Sequence, residues 1–511
     1  MQFNSYIFIL LFLPLTVIGY FSLHRLGREK LAKIYLLLMS LWFYGYFNVS
    51  YLVIICGSIL VNYALFRLMK ATSAGEKKTG LKKILLLFGI IFNVSVIFYF
   101  KYYDFFIQNI NDLFKTDFVL RHIALPLGIS FFTFQQISFV VDAYNGECDD
   151  YNFLEYALFV TFFPQLVAGP IVLHSELIPQ FNDSKKWKVD YDNLSKGIML
   201  FTRGLSKKVL LADPLGNVVN FGIAQAGKIP VGEGALTIPE IIIVMLCYTF
   251  QLYFDFSGYS DMATGLGLML NLVIPKNFNS PYKAFSVADY WKGWHLTLTR
   301  FLTRYVYIPL GGSRKGELRT YFNTMVVFIV SGIWHGANWT YILWGLIQGV
   351  CTCYNRATKG IYDKFMNKVE SLSFGKILKG AVITVFWILN FAFLNVNLLL
   401  FRAESVTQWT QIMRRLTVLN LDVRADLIEP LRIPKLTALL SALHINISEA
   451  VILGVSTASY LLLSLYICLC TTNNYDAKYE KNAFNLVTTC ILFMLCIISL
   501  SSISTFLYFN F

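Results

Sequence analysis

The sequence predicts an all-α fold, a polytopic bundle of transmembrane helices in which broken or re-entrant helices surround a central chamber. Hydrophobic residues make up 56% of the 511 residues and charged residues only 14%, with a mean hydropathy of +0.57. That is more apolar surface than a soluble core can bury. Several apolar stretches approach the roughly 20 residues that cross a bilayer as a helix, and their Gly, Pro and polar interruptions favour helices over barrel strands.

The chain is predicted to form one integral-membrane domain over 1–511. Residues 1–120 alternate apolar spans with short loops, 122–350 form the core, 402–445 form a polar insertion, and 446–511 hold the C-terminal spans. The first span is expected to be retained, because no basic residue precedes it and no small-residue cleavage site follows it. The candidate spans are 5–23, 34–48, 51–69, 84–100, 323–350, 377–401, 446–470 and 484–508.

Basic residues in two short loops predict the orientation. They are Arg25, Arg28, Lys30 and Lys33 after the first span, and Lys70, Lys77, Lys78, Lys82 and Lys83 after the third. Because two spans separate these loops, both lie on one side, which the positive-inside rule makes cytoplasmic. The N-terminus and a loop at 101–121 are then outside. The net charge of +13, spread over such loops, favours contact with anionic membrane lipids over nucleic acid.

Cofactor and metal signatures are missing from the sequence. The pairs Cys351/Cys353 and Cys468/Cys470 lack the spacing and companion ligands of a zinc site. No Walker loop, dinucleotide fingerprint or serine-triad spacing is present. No metal and no bound cofactor are predicted.

The core interleaves polar and apolar residues in LPLGISFFTFQQ, FFPQLVAGPI, YFDFSGYSDMATGLG and YIPLGGSRKG. Backbone broken in this way at membrane depth is tolerated only where protein or a water-filled cavity covers it, so the core is predicted to enclose the chamber. In the insertion at 402–445, WTQIMRRL predicts an amphipathic helix at the membrane surface.

His335 lies in SGIWHGANW, inside the apolar stretch 323–350. A titratable side chain at membrane depth is costly unless it faces a cavity or a partner. A neutral imidazole is suited to accept the proton of a hydroxyl near neutral pH, and Asn338 could hold an oxyanion or orient the ring. The spacing of Gly332 and Gly336 also fits a packing motif around a core histidine. Both interpretations stay open on these residues alone.

His295 lies in DYWKGWHLTLTRFLTRYVYIPLGG. On a helix, Trp291 and His295 would share one face, and Arg300 and Arg304 another. This pattern predicts an amphipathic helix along the cytoplasmic boundary, and a mere anchor helix with aromatic and basic residues fits it equally well. The other histidines are interpreted as interfacial or surface residues; they are His24, His122, His174 and His444.

Two carboxylates, Asp255 and Asp261, lie in the apolar stretch YFDFSGYSDMA. A catalytic carboxylate pair is one interpretation. A structural role, such as capping a helix broken near Ser257, is favoured over it.

Together these segments resemble the membrane-bound O-acyltransferase (MBOAT) superfamily, specifically the bacterial branch typified by the membrane subunit of alginate O-acetyltransferase. The resemblance covers nearly the whole chain. Its motifs, in order, are PLGISFFTFQQISFVVDAY (126–144), FFPQLVAGPI (162–171), YTFQLYFDFSGYSDMATGLGLML (248–270), NFNSPYKAFSVADYWKGWHLTLTRFLTRYVYIPLGGSR (277–314), SGIWHGANWTYILWGLIQG (331–349), LLFRAES (399–405) and YFNF (508–511).

The resemblance implies a multispan O-acyltransferase of the bacterial cell membrane, with the signature catalytic histidine at His335 and the second motif histidine at His295. The candidate substrate-binding residues are Asn338, Trp294, Arg300, Arg304, Asp255 and Tyr259. The chain departs from the usual pattern of the branch at Lys292–Gly293, where two arginines are common, and at Thr297 and Thr299, where serines are usual.

The reaction implied is transfer of an acyl group, acetyl by resemblance, from a cytoplasmic thioester such as acetyl-CoA to a hydroxyl of an extracytoplasmic polysaccharide or cell-wall polymer. An extracytoplasmic partner protein is expected, because the predicted loops are too short to form a soluble acceptor-binding domain. Basic residues at the cytoplasmic mouth would attract donor phosphates; they are Arg300, Arg304, Arg314 and Lys315.

Two alternatives stay open. The same histidines would serve D-alanyl transfer from a carrier protein to teichoic acid. A transporter or polymer-export subunit would use an intramembrane histidine as a proton relay. The absence of a detectable inverted repeat counts against the transporter.

Overall fold

The computed structural model describes residues 1–72, 80–229, 234–372, 374–433, 447–500 and 506–507. Among the predicted features, His444, Lys77, Lys78 and the motif at 508–511 lie outside these residues. Within them the regular secondary structure is helical, which confirms the all-α prediction.

The helices are numbered in chain order. In the first half they are α1 (Phe8–Arg25), α2 (Glu29–Gly45), α3 (Ser50–Ala71), α4 (Gly80–Phe114), α5 (Ile129–Asn145), α6 (Phe153–Thr161), α7 (Phe163–Leu166), α8 (His174–Asn182), α9 (Tyr191–Ser206) and α10 (Asp213–Lys228). In the second half they are α11 (Ile238–Met269), α12 (Val287–Trp291), α13 (Leu296–Leu302), α14 (Glu317–His335), α15 (Trp339–Glu370), α16 (Gly375–Arg402), α17 (Val406–Arg415), α18 (Ala425–Ile428), α19 (Glu449–Cys470) and α20 (Ala483–Ser499).

Six helices of the described residues are long and apolar enough to cross a membrane: α1, α3, α4, α11, α16 and α19. Five of them match predicted spans, whereas α11 was not predicted because polar residues interrupt its apolar sequence. In the most apolar 18-residue window of α11, 83% of the residues are buried inside the protein. Its polar side chains therefore meet protein partners and not lipid, which is how a span of this composition is tolerated.

The predicted break near Ser257 is wrong, because α11 continues without interruption from Ile238 to Met269. Gly258 instead permits a close approach of α9. A Cβ atom at Gly258 would lie 2.8 Å from the carbonyl oxygen of Gly204, and one at Gly204 would lie 2.6 Å from that of Gly258. Small residues that let two backbones touch are a common device of membrane helix packing.

The stretch predicted as one span at 323–350 is two helices. α14 ends at His335, α15 begins at Trp339, and the extended backbone of Gly336 separates them. The two helices pack against each other where the Cα atoms of Gly332 and Gly345 nearly touch, since a Cβ at Gly345 would lie 3.2 Å from the Gly332 Cα. The chain therefore reverses direction just after His335.

The loop predicted at 101–121 starts later than expected, because α4 continues to Phe114. The helix contains a π-helical turn at Phe98–Tyr102. Two further π-helical turns, Lys207–Ala212 and Thr303–Tyr307, also contain basic residues. π-helical turns inside α-helices frequently mark functional positions.

At each of these three turns, two consecutive side chains reach the same neighbouring helix. Lys101 and Tyr102 bond to carbonyls of α14, Lys207 and Lys208 pair with carboxylates of α11, and Arg304 and Tyr305 both bond to Asp142 of α5. Consecutive residues of a regular α-helix point about 100° apart and do not face one neighbour together. The wider π-helical turn reduces that divergence.

The insertion at 402–445, described as far as residue 433, contains the predicted amphipathic helix as α17. Its Gln408 donates to the carbonyl of Ile223 in α10 at 3.3 Å, and Trp409 donates to the carbonyl of Val396 in α16 at 3.3 Å. Further along, Arg424 pairs with the buried Glu240 of α11 at 2.8 Å. These contacts fix the described part of the insertion to the helical core.

Candidate active site

His335 is the last residue of α14 and only 3% exposed. Three aromatic rings surround its imidazole edge-on, with centroids 4.9 Å (Trp334), 5.3 Å (Trp344) and 5.1 Å (Phe401) away. The ring is thus held among aromatic side chains at a helix end.

A small cavity borders this histidine. Its volume is about 20 Å³, room for about one water molecule. The lining runs from α4 across the loop before α5 to the end of α14, and includes Lys101, Pro126, Ser130, Trp334 and His335. His335 is therefore one of the residues that border this cavity.

His295 is fully buried between α12 and α13, in a left-handed backbone conformation with φ of 45°. The prediction of one amphipathic helix through this histidine is wrong for that reason. The stretches on either side of it are each bonded to the segment 277–279: the backbone N–H of Asn279 donates to the carbonyl of Gly293 at 2.8 Å, and that of Leu296 donates to the carbonyl of Asn277 at 2.9 Å. A left-handed conformation is uncommon outside glycine and is costly, and such residues cluster at functional sites.

The side chain of Asn277 orients the imidazole of His295. Its Oδ1 lies 3.1 Å from Nδ1 of His295 and also accepts the backbone N–H and the hydroxyl of Thr297, at 3.3 and 2.9 Å. Because a backbone N–H can only donate, the Asn277 atom at this point is the oxygen. His295 therefore donates from Nδ1, and the lone pair lies on Nε2.

The indole of Trp334 lies against both histidines, with its ring centroid 6.0 Å from that of His295 and 4.9 Å from that of His335. The sequence places the two histidines 40 residues apart. The fold thus brings the two predicted catalytic residues together on one aromatic side chain.

Further polar contacts lead from Asn277 toward a second cavity. Asn277 donates from Nδ2 to the hydroxyl of Ser260 at 3.3 Å, and the backbone carbonyl of Ser260 accepts the hydroxyl of Thr264 at 2.9 Å. Thr264 lines a second cavity of about 430 Å³, whose wall includes Lys196 and Lys478.

Two predicted substrate-binding residues have structural contacts. Asn338 is the N-cap of α15, accepting from the backbone of Thr340 at 3.0 Å, and it donates to the carbonyl of Glu404 at 2.8 Å. Trp294 is buried and stacks on Tyr290 with centroids 5.4 Å apart. Their assignment as substrate-binding residues stays a prediction.

Two of the four basic residues predicted to attract donor phosphates, Arg300 and Arg304, have carboxylate partners. Arg300 pairs with both oxygens of Glu176, at 2.8 Å for Oε2. Arg304 pairs with Asp142 at 3.1 Å and with Glu147. These partners neutralise much of the positive charge that a phosphate would meet.

Asp255 and Asp261 are in ion pairs and not in a carboxylate pair with each other. Asp255 lies 2.6 Å from the ammonium of Lys208, and Asp261 lies 2.7 Å from that of Lys207. The hydroxyl-bearing ring of Tyr259 stacks on Phe3 at 4.8 Å. These contacts agree with the structural interpretation of the carboxylates.

Two histidines interpreted as surface residues are buried. His174 is 1% exposed and its Nε2 lies 3.1 Å from Asp142. His24 is 8% exposed and stacks on Trp187. His122 is exposed, as predicted.

Sequence reasoning missed Lys101 and Asn277. Lys101 in α4 donates to the backbone carbonyls of Trp334 and His335, at 2.6 and 3.2 Å, and to the hydroxyl of Ser130 at 3.2 Å. A lone lysine at the end of an apolar span was the available signal for Lys101. Asn277 had none, since asparagine is ordinary in a loop.

This fold and site define a class: an integral membrane protein of helices that packs two histidines together in its interior, one of them beside a cavity. Residues 36–403 match the membrane-bound O-acyltransferase (MBOAT) family. The chain belongs to that family and is an O-acyltransferase.

Named relatives agree with this class. The chain is 38% identical over 541 aligned positions to a peptidoglycan O-acetyltransferase of Helicobacter pylori, with 100% of this chain and 97% of that protein covered. It is 34% identical over 412 residues to the probable alginate O-acetylase AlgI of Pseudomonas aeruginosa, covering 80% of this chain and 73% of that protein. A teichoic acid D-alanyltransferase of Bacillus subtilis is 28% identical over 259 residues, covering 48% of this chain and 62% of that protein.

Proposed function

We propose that this O-acyltransferase moves an acetyl group from a cytoplasmic thioester, acetyl-CoA, to a hydroxyl of an extracytoplasmic cell-wall polysaccharide in a bacterial cell membrane, through a partner protein. The observation that carries the proposal is the contact of His335 and His295 with one indole, with His335 bordering a cavity. Peptidoglycan is the favoured acceptor, because the relative named for it matches along the full length of both chains.

His335 acts as the general base in this proposal. It lies beside the cavity lined by the loop before α5, on the side that the basic loops predict to be extracytoplasmic. The imidazole accepts the proton of the incoming hydroxyl while the oxygen attacks the acyl carbon. The carbon–sulfur bond of the thioester breaks, and the departing sulfur takes up the proton held by His335, which restores the base. His295, oriented by Asn277, positions the thioester.

The donor cavity is the one lined by Lys196, Lys478 and Thr264. Lys33, in the basic loop predicted to be cytoplasmic, contacts Glu155 and Asn182. After Asn182, Lys186 donates to the carbonyl of Asn271 at 3.0 Å, two residues before Val273 of the cavity wall. These contacts support a donor cavity on the side of the basic loops, and its lysines suit the phosphates of coenzyme A.

Membranes from cells that contain the full chain and its natural partners provide the test. Vesicles with the cytoplasmic face outward receive acetyl-CoA labelled in the acetyl group, and base-labile label in the polymer is measured. The variant His335→Asn is compared with wild type, and His122→Asn, which changes an exposed histidine, is the matched control. General-base catalysis contributes about 10²–10⁴ in rate, so a loss of that size is expected for His335→Asn alone.

Three results would contradict the proposal. Equal labelling by His335→Asn and wild type would show that His335 is not the general base. Labelling from a D-alanyl carrier protein, with none from acetyl-CoA, would favour the D-alanyl alternative. Uptake of polymer precursors without any acyl transfer would favour the transporter.

A further inference from the structure

The end of α14 needs external donors, because the last carbonyls of a helix have no intrahelical partners. The backbone turns away in an extended conformation at Gly336. Two consecutive residues of α4 supply the missing donors: Tyr102 donates to the carbonyl of Ile333 at 2.7 Å, and Lys101 donates to those of Trp334 and His335 at 2.6 and 3.2 Å. A cation at this position also interacts favourably with the helix dipole.

We propose that Lys101 is a positioning residue for catalysis, whose ammonium group fixes the last turn of α14 and thereby the imidazole of His335. The inference rests on the proposed role of His335 as the base. It assigns to Lys101 a part in the reaction that comes from its contacts with the backbone and not from contact with substrate.

The hydrogen bonds of Lys101 decide between positioning and direct catalysis. A lysine ammonium has three N–H donors and no acceptor. Trp334 and His335 take two of these donors and the hydroxyl of Ser130, 3.2 Å away, takes the third. Since all three donors are engaged by the protein, none is left for an oxyanion or a leaving group.

The same contacts join three helices at the cavity beside His335. Lys101 comes from α4, Ser130 from α5 and His335 from α14, and all three residues line the cavity. Trp334 adds an indole N–H donated to the carbonyl of Ser130 at 3.4 Å. A shift of about 1 Å in a reacting group can cost about 10²-fold in rate, so loosening this junction affects turnover before it affects binding.

The test measures kcat and KM for acetyl-CoA in the vesicle assay, after wild type has been found active there. Lys101→Met removes all three donors at similar length and is expected to lower kcat about 10²-fold with KM unchanged. Lys101→Arg restores donors to the same carbonyls and is expected to recover most of that loss. Lys83→Met, which makes the same change at an exposed position of the same helix, is the matched control and should stay close to wild type.

The outcomes distinguish a failure of this inference from a failure of the proposed function. An inactive wild type would contradict the proposed function alone. An active wild type with an equally active Lys101→Met, or a loss in Lys101→Met confined to KM, would overturn the inference. Should Lys101→Met fail to accumulate in the membrane, Ser130→Ala removes only the third acceptor. A kcat for Ser130→Ala equal to wild type would then overturn the inference, and a lowered kcat with unchanged KM would support it.

Discussion

Asn277 determines which ring nitrogen of His295 bears the proton. Its Oδ1 is 3.1 Å from Nδ1 of His295 and accepts the backbone N–H of Thr297 as well. Because the backbone N–H of Thr297 can only donate, the Asn277 atom that it meets is the amide oxygen. Nδ1 of His295 therefore donates to that oxygen, which fixes the tautomer of the imidazole. The hydroxyl of Thr297, at a position where serine is usual in this branch, donates to the same oxygen at 2.9 Å. Threonine therefore keeps the hydroxyl that this arrangement uses.

Replacing Asn277 by leucine should impair turnover. The variant removes the acceptor for His295 and leaves the backbone N–H of Thr297 without its partner, so we expect kcat to fall about 10²-fold. Asn277→Asp keeps an acceptor oxygen and should retain more activity than Asn277→Leu. Both are measured in the vesicle assay with Asn279→Leu, an exposed asparagine, as control. Full activity in Asn277→Leu would show that the orientation of His295 does not limit the reaction.

Substituting Gly204 should destabilise the protein. A Cβ atom at this position would lie 2.6 Å from the carbonyl oxygen of Gly258 and 2.8 Å from the backbone nitrogen of Met262. Overpacking of this kind typically costs about 1–3 kcal/mol, so Gly204→Ala should melt at a lower temperature in detergent. Gly57→Ala is the control, because a Cβ at Gly57 has nothing within 4 Å. Equal melting of both variants would contradict the close packing of α9 on α11.

Removing the ammonium group of Lys208 should be more costly still. This side chain is 3% exposed and lies 2.6 Å from Asp255 and 2.8 Å from Asp213. Breaking a buried ion pair on one side costs about 3–5 kcal/mol, so Lys208→Met should unfold at a clearly lower temperature. Lys292→Met, which breaks an exposed pair with Asp289, should change the melting temperature little, since surface pairs contribute about 0–1 kcal/mol. Similar shifts for the two variants would be the contrary result.

Reversing the charges of the proposed donor cavity should weaken donor binding. In the double variant Lys196→Glu with Lys478→Glu, acetyl-CoA would meet two carboxylates in place of two ammonium groups, so we expect KM to rise with kcat nearly unchanged. The effect should shrink at high salt, because screening weakens exposed charges. The control Lys359→Glu with Lys364→Glu makes the same charge change at exposed positions of α15. If both double variants raise KM equally, the cavity is not the donor site.

The fold class, most spans and the burial of His335 follow from the sequence, because apolar length and isolated polar residues are local signals. The turn after His335 also has a local signal in the sequence. Asn338 caps α15, and asparagine is a preferred N-cap residue. Hydropathy alone conceals such a cap, which is why 323–350 was predicted as one span.

The contacts that complete the site could not be predicted, because they join distant segments. Lys101 precedes His335 by 234 residues, and Asn277 precedes His295 by 18. Helix α11 escaped prediction for a related reason: Asp255 and Asp261 look too polar for a span until Lys208 and Lys207 neutralise them. Only the packed structure shows which polar residues have such partners.

The π-helical turns also constrain the length of the chain. A π-helical turn accommodates one residue more than an α-helical turn. Deleting a single residue within Phe98–Tyr102 would let that stretch relax to regular helix, with better local geometry. Consecutive side chains would then diverge by about 100°, so Lys101 and Tyr102 could no longer both reach α14. A point substitution in one of these turns changes a single side chain, whereas a deletion there would misdirect a pair of side chains at once.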